Sequence, residues 1–138
     1  MAEPTTRIGI YVTPSLFNAA KAAYLVDWRL GGHSDTFARW IAGAIDAHAA
    51  CTPQQRADLE RDTSRATERS GSPRSFSIPN AIAARMRRAI SADQEHGRWP
   101  TVSAWVGDAI ASAVSEATRR AGGPLPEPPA RLPNRLVR

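Results

Sequence analysis

Ser75, Phe76, Ser77 and Ile78 alternate polar with apolar, and Pro79 ends the run at once. Alternation at every second residue is the signature of a strand with one face against a core. A strand of about four or five residues cannot stand alone, because its backbone donors and acceptors need a partner. Any fold for this chain must therefore supply a second strand. The sequence holds one suitable stretch: Ile8, Gly9, Ile10, Tyr11 and Val12, followed by Thr13-Pro14.

The two short runs head two copies of a longer pattern. The first copy extends from Arg7 to Ile45 and the second from Arg74 to Ile110. Each opens with the alternating segment and a proline, continues as an apolar-striped helix, breaks at glycine, and resumes as a second helix. The second helices agree best. Phe37, Trp40, Ile41, Ala44 and Ile45 share their spacing with Val102, Trp105, Val106, Ala109 and Ile110, one stripe on each helix with a tryptophan at the matching place. Thr36 and Thr101 stand as N-cap or first-turn residues, and Pro100 separates its helix from the one before. In the first helices Thr13-Pro14 is a cap and first-turn pair, with Leu16, Ala20 and Ala23 or Tyr24 on one face, while Ile82, Met86 and Ala89-Ile90 form the stripe of the second copy. The glycines that break the helices are Gly31-Gly32 and Gly97.

Between the copies, Thr52-Pro53-Gln54-Gln55 reads as a capping box that starts a solvated helix of mixed charge running on through Arg65–Arg69, with Ser70-Gly71-Ser72-Pro73 breaking it. Beyond Gly122-Gly123 the segment PLPEPPARLPNRLVR is too rich in proline to pack and reads as an extended, mobile tail. The expected divisions are a disordered stretch at 1–6, units at 7–50 and 74–121, a helical connector at 51–73, and the tail at 122–138. One unit alone is too small to bury a core. Two solve the problem together if their strands pair antiparallel and four helices close over one face. The expected fold class is mainly α with a two-stranded antiparallel ribbon.

Charge and cysteine use narrow the classes of function. The net charge of +5 is confined to the second part of the chain: the first 72 residues balance, residues 73–121 carry seven basic against four acidic groups, and residues 122–138 carry three against one. A basic half points to a polyanionic partner. The single cysteine, Cys51, allows no intrachain disulfide and no multi-cysteine zinc site. His33, His48 and His96 show no metal-ligand spacing and read as surface residues, so no metal or other cofactor is expected. There is no phosphate loop, no His-Glu metal motif and no readable Ser/His/Asp arrangement, so an enzyme is not expected. MAEPTTR has no apolar core of a signal peptide and no apolar run reaches the length of a membrane span, so a soluble cytoplasmic protein is the expectation.

With Val12-Thr13-Pro14 and Ile78-Pro79 at the strand ends, Leu16 or Ile82 shortly after, a glycine turn and a capped apolar helix, each half resembles the ribbon-helix-helix DNA-binding proteins, to which the Arc and MetJ repressors belong. That family normally dimerises from two chains. Two units in one chain is similar to the tandem relaxosome proteins of the TraY type, and implies a tandem ribbon-helix-helix pseudo-dimer. The resemblance covers about residues 7–48 and 74–120. It implies a ribbon laid in the major groove, with base reading by the outward residues Arg7, Gly9, Tyr11, Ser75 and Ser77. Arg74 and the first turns at Thr36, Phe37, Thr101, Val102 and Ser103 would then meet phosphates. Asp35, beside Thr36, departs from a phosphate-binding turn. The partner implied is double-stranded DNA, as short direct repeats because the two strands differ, with a partition ATPase or similar protein on the tail. The task implied is plasmid partition by centromere binding with autorepression, in a protein associated with nucleoid or plasmid. A relaxosome accessory protein and a simple repressor are the alternatives within the class. A helical protein-interaction module without DNA binding is the alternative outside it.

Overall fold

The computed structural model describes residues 3–62 and 71–138, and the reading of Arg65–Arg69 as helical lies outside them. The chain runs β1 (Thr5–Val12), α1 (Pro14–Arg29), α2 (Phe37–Ala49), α3 (Pro53–Asp58), β2 (Ser72–Pro79), α4 (Asn80–Glu95) and α5 (Val102–Ala121). Among the described residues the strands form one two-stranded antiparallel sheet, in which Thr5 faces Pro79 and Val12 faces Ser72. Ile8, Ile10, Val12 and Ile78 are buried beneath this ribbon, and Phe76 is half-buried beside them. The pairing is thus made within one chain.

Both strands are longer than the alternation alone suggests. Thr5 and Thr6, expected in a disordered stretch, belong to β1, and the Thr6 hydroxyl reaches Asn80 Oδ1 at 2.7 Å. The Asn80 N–H also donates to the Pro4 carbonyl at 3.0 Å, so the start of the chain is tied to the start of α4. Ser72-Pro73, expected as a break, opens β2. A two-stranded ribbon has only edge strands, and an edge tolerates the loss of a donor at Pro73, which has no backbone N–H.

The helices begin where side-chain oxygens satisfy the first-turn donors. Thr13 caps α1 through Leu16 N–H, Thr36 caps α2 through Arg39 N–H, and Thr101 caps α5 through Ala104 N–H. Gly31 and Gly97 follow α1 and α4 at φ of +97° and +85°, a left-handed conformation that favours glycine. Packing then crosses between the halves. α1 lies mainly on α5, and α2 lies on both α4 and α5. Within the first half α1 meets α2 more lightly, through Phe17 and Tyr24 against Phe37.

The expected connector helix is shorter than its composition suggests. The Thr52–Gln55 capping box starts α3, which ends at Asp58. The chain then leaves the helix, allowing Glu60 to pair with Arg98 at 3.0 Å and Arg61 with Asp108 at 2.8 Å. The tail is also corrected. It is extended, but it packs: Leu125, Leu132 and Leu136 lie against the core, and the Lys21 ammonium donates to the carbonyls of Pro129 and Ala130. Proline prevents regular structure without preventing contact, and the interspersed leucines supply the apolar grip.

A repeated polar feature runs through the core. Asp27 and Asp93 are each the fourteenth residue of a sixteen-residue helix. Asp27 accepts the Trp40 indole N–H at 2.8 Å, and Asp93 accepts that of Trp105 at 3.1 Å. Each also holds an arginine, Arg120 on Asp27 at 2.7 Å and Arg56 on Asp93 at 2.9 Å. The second pair is fully buried. There the Arg56 guanidinium donates further to the carbonyls of His48, Ala49 and Cys51 at the end of α2, and to that of Ala89 in α4. At His48 and Ala49 it meets carbonyls of the last turn of α2, which have no i+4 donor within the helix.

His48, expected at the surface, is buried, with its ring against Trp105 at 4.7 Å between centroids. Burial pushes its imidazole below the ordinary value; the carboxylates of Asp108 and Asp93 oppose the shift, and Arg56 and Arg98 reinforce it. The folded chain thus protonates His48 at lower pH than the unfolded chain does, so acidification below about 6.5 favours unfolding. Denaturant titrations are expected to show stability falling from pH 7 towards pH 5.5, with a shallower fall in His48→Phe. Asp93→Ala is expected to cost about 3–5 kcal/mol, because it strands a buried guanidinium and an indole N–H. Asp27→Ala is expected to cost about 1–2 kcal/mol, because Arg120 keeps its access to water. Denaturation midpoints compare the two directly.

Candidate nucleic-acid interface

The outer face of the ribbon is set by the same alternation that buries the inner one. Arg7 stands directly across from Ser77, Gly9 from Ser75, and Tyr11 from Pro73. All six are exposed, and Tyr11 keeps 64% of its surface. The five residues expected to read bases are therefore brought together on one face. It combines a guanidinium, a phenol, two hydroxyls and, at Gly9, bare backbone. A Cβ at Gly9 would meet nothing nearer than Ser75 Oγ at 3.9 Å, so internal packing does not demand glycine there.

Arg74 does not join this row. It pairs across the ribbon with Ile10, on the inner side, and its guanidinium lies over the Phe17 ring at 4.1 Å. This places an exposed cation at the flank of the ribbon instead of on its reading face.

The starts of the two second helices lie against different strands. Ser103 Oγ accepts the backbone N–H of Tyr11 at 3.0 Å, holding the first turn of α5 beside β1. The Ser103 hydroxyl proton is left free to donate elsewhere. Phe37 meets Phe76 with centroids 5.9 Å apart, holding the first turn of α2 beside β2. Its ring also packs on Phe17, Tyr24 and Trp40, which commits it to the aromatic cluster of the core. The hydroxyls of Thr36 and Thr101 accept first-turn N–H groups as caps.

The two flanks differ in what covers them. Thr101, Val102 and Ala104 are exposed around the half-buried Ser103, and Trp99 just before them keeps 74% of its surface. At the start of α2, Thr36, Phe37 and Ala38 are all half-buried. There the Asp35 carboxylate is held by Arg39 at 2.5 Å and by Arg135 of the tail at 3.3 Å. Its carbonyl accepts the Tyr24 hydroxyl at 2.9 Å and the Leu136 N–H at 2.7 Å. Trp28 lies half-buried under Arg138, whose guanidinium is 4.0 Å from the ring centre and also donates to the Gly32 carbonyl.

Comparison with known proteins gives no match. No family model, no curated protein and no solved structure aligns significantly with the chain. Among the described residues, no group of three or more His, Cys, Asp and Glu side chains is placed to hold a metal ion, and no helix is long and apolar enough to cross a membrane.

Sequence reasoning missed Arg135 and Arg138 as neighbours of α2, because proximity between the tail and residue 35 leaves no local periodicity. It also missed Asp27 and Asp93, although their equal places in two equal helices were a usable signal. The two faces of the ribbon predict opposite responses to truncation. Arg7→Ala, Ser75→Ala and Ser77→Ala are each expected to change stability by less than about 0.5 kcal/mol. Ile10→Ala and Ile78→Ala are each expected to cost about 2–5 kcal/mol. Thermal or denaturant unfolding of the five variants checks the assignment of faces.

Proposed function

We propose that this chain is a sequence-specific double-stranded DNA-binding protein that reads the major groove with its ribbon. In this reading the chain is a tandem ribbon-helix-helix pseudo-dimer, doing alone what two subunits of such proteins do together. The observation that carries it is the outer row: Arg7, Gly9, Tyr11, Ser75 and Ser77 share one exposed face of a ribbon whose other face is core. A two-stranded ribbon has the width of the major groove, and this row offers groups suited to base edges. Arg7 is a bidentate donor for guanine, and the serine hydroxyls both donate and accept. Gly9, a glycine that packing does not require, suits close approach of backbone to a base pair.

The two strands are not equivalent, so the recognition unit is asymmetric. It suits short direct repeats better than palindromes. The resemblance of the two halves to ribbon-helix-helix proteins extends the reading to biology: centromere binding in plasmid partition, with repression of its own promoter. Mobilisation and simple repression use the same binding act.

Selection from a random duplex library, followed by titration at several salt concentrations, tests the reading. Wild-type protein is expected to enrich a discrete sequence, with affinity falling steeply as salt rises. Arg7→Ala and Ser77→Ala are expected to weaken binding about tenfold or more and to relax preference at particular base pairs, while remaining folded. Gly9→Val is expected to fold and to lose specific binding. Failure to enrich any sequence, or variants that bind the selected duplex as wild type does, would overturn it.

A further inference from the structure

The tail was expected to lie free of the domain, and its course is the least anticipated part of the fold. It leaves α5, passes Ser15, Asn18 and Ala22 of α1 with Leu125, and brings Ala130 into the groove shared by Val12, Ser72 and Arg74. It then reaches the start of α2, where Leu136 N–H meets the Asp35 carbonyl and Arg135 meets the Asp35 carboxylate. Its last eight residues, RLPNRLVR, contain the pair Arg-Leu twice at a spacing of four. In both pairs the leucine packs against the core and the arginine stays exposed: Leu132 with Arg131, Leu136 with Arg135. Arg135 keeps 61% of its side-chain surface while paired with Asp35.

This pattern is more than a solvated end. The leucines fix the segment, the Lys21 ammonium holds two of its carbonyls, and Arg131 follows directly on Ala130, which shares a groove with Arg74, while Arg135 lies at the start of α2, beside β2. The flank needs them. Asp35 puts a negative charge at the start of α2, and on the other flank no acidic residue stands at the corresponding place before Thr101, where the sequence reads Trp99-Pro100. Arg39 alone would balance Asp35, and Arg135 beside it leaves the start of α2 net cationic. We infer that the tail is a built-in strap whose Arg131 and Arg135, together with Arg74, bind the phosphodiester backbone on the β2 side of the DNA site, while the open first turn of α5 serves the β1 side. The inference rests on the DNA-binding reading above. It makes the tail part of the DNA interface and gives the two sides of the site different chemistry: guanidinium groups on one, helix N–H groups and the Ser103 hydroxyl on the other.

The test uses the full chain, the double variant Arg131→Ala/Arg135→Ala, and the duplex selected by wild-type protein. The variant keeps Leu125, Leu132 and Leu136, so the strap stays anchored, and circular dichroism confirms the fold. Two changes are expected: the slope of log affinity against log salt becomes shallower by about two, and binding at moderate salt weakens about tenfold. Phosphate-ethylation interference is expected to disappear on one side of the site only. Arg131→Lys/Arg135→Lys is expected to restore most of the slope, because phosphate attraction needs charge first. An unchanged slope and interference pattern in the alanine variant, or an equal loss on both sides, would overturn the strap while leaving the DNA-binding reading intact. If the wild-type chain enriches no duplex at all, that reading itself fails and the strap has no DNA to bind.

Discussion

Backbone pairing between Thr5–Val12 and Ser72–Pro79 is the constraint on which the other contacts depend. Neither strand has another partner among the described residues, and an isolated ribbon of two strands is marginal in water. The pairing is sustained because its inner row is roofed by helices from both halves. The distance in sequence is a small obstacle: each doubling of a loop adds only about 0.6 kcal/mol of closure cost. Once the strands meet, α1 is placed against α5 and α4 against α2. The fold is therefore cooperative across its halves.

The periodic parts of this arrangement were legible in the sequence. Alternation at Ile8, Ile10 and Val12, and at Phe76 and Ile78, identified both strands and their buried faces. Thr13, Thr36, Thr52 and Thr101 marked helix starts correctly because a cap is a local interaction, complete within three residues. Features that depend on tertiary contact were not legible. The charges of Glu60 and Arg61 suggested a continuing solvated helix, but their partners Arg98 and Asp108 draw the chain away from one. His48 looked like a surface residue because nothing nearby in sequence announces Trp105 above it or Arg56 bonded to its carbonyl.

The same division holds at the candidate interface. The outer row followed from strand parity, which fixes every second side chain once one face is known. Arg74 did not, because parity places it on the inner side, where its long side chain escapes over Phe17 to the edge. Proline content indicated extended structure in the tail and was silent about where it would lie. The signal for that lay in the leucines, whose spacing matters only once α1 and α2 offer a surface.

The two halves of the chain hold similar polar centres in different settings. Asp27 and Asp93 occupy the same place, each joining a tryptophan indole to an arginine, yet Asp93 is sealed beneath the connector while Asp27 remains partly open. The second half thereby acquires its fixed polar centre from α3, which inserts Arg56. The first half has no such insertion, and Arg120 reaches its aspartate from the end of α5. The start of its second helix is covered instead by the tail that follows α5. Because both halves lie in one chain they need not be self-complementary as two-fold-related subunits must, and α3 serves Asp93 while the tail serves the start of α2.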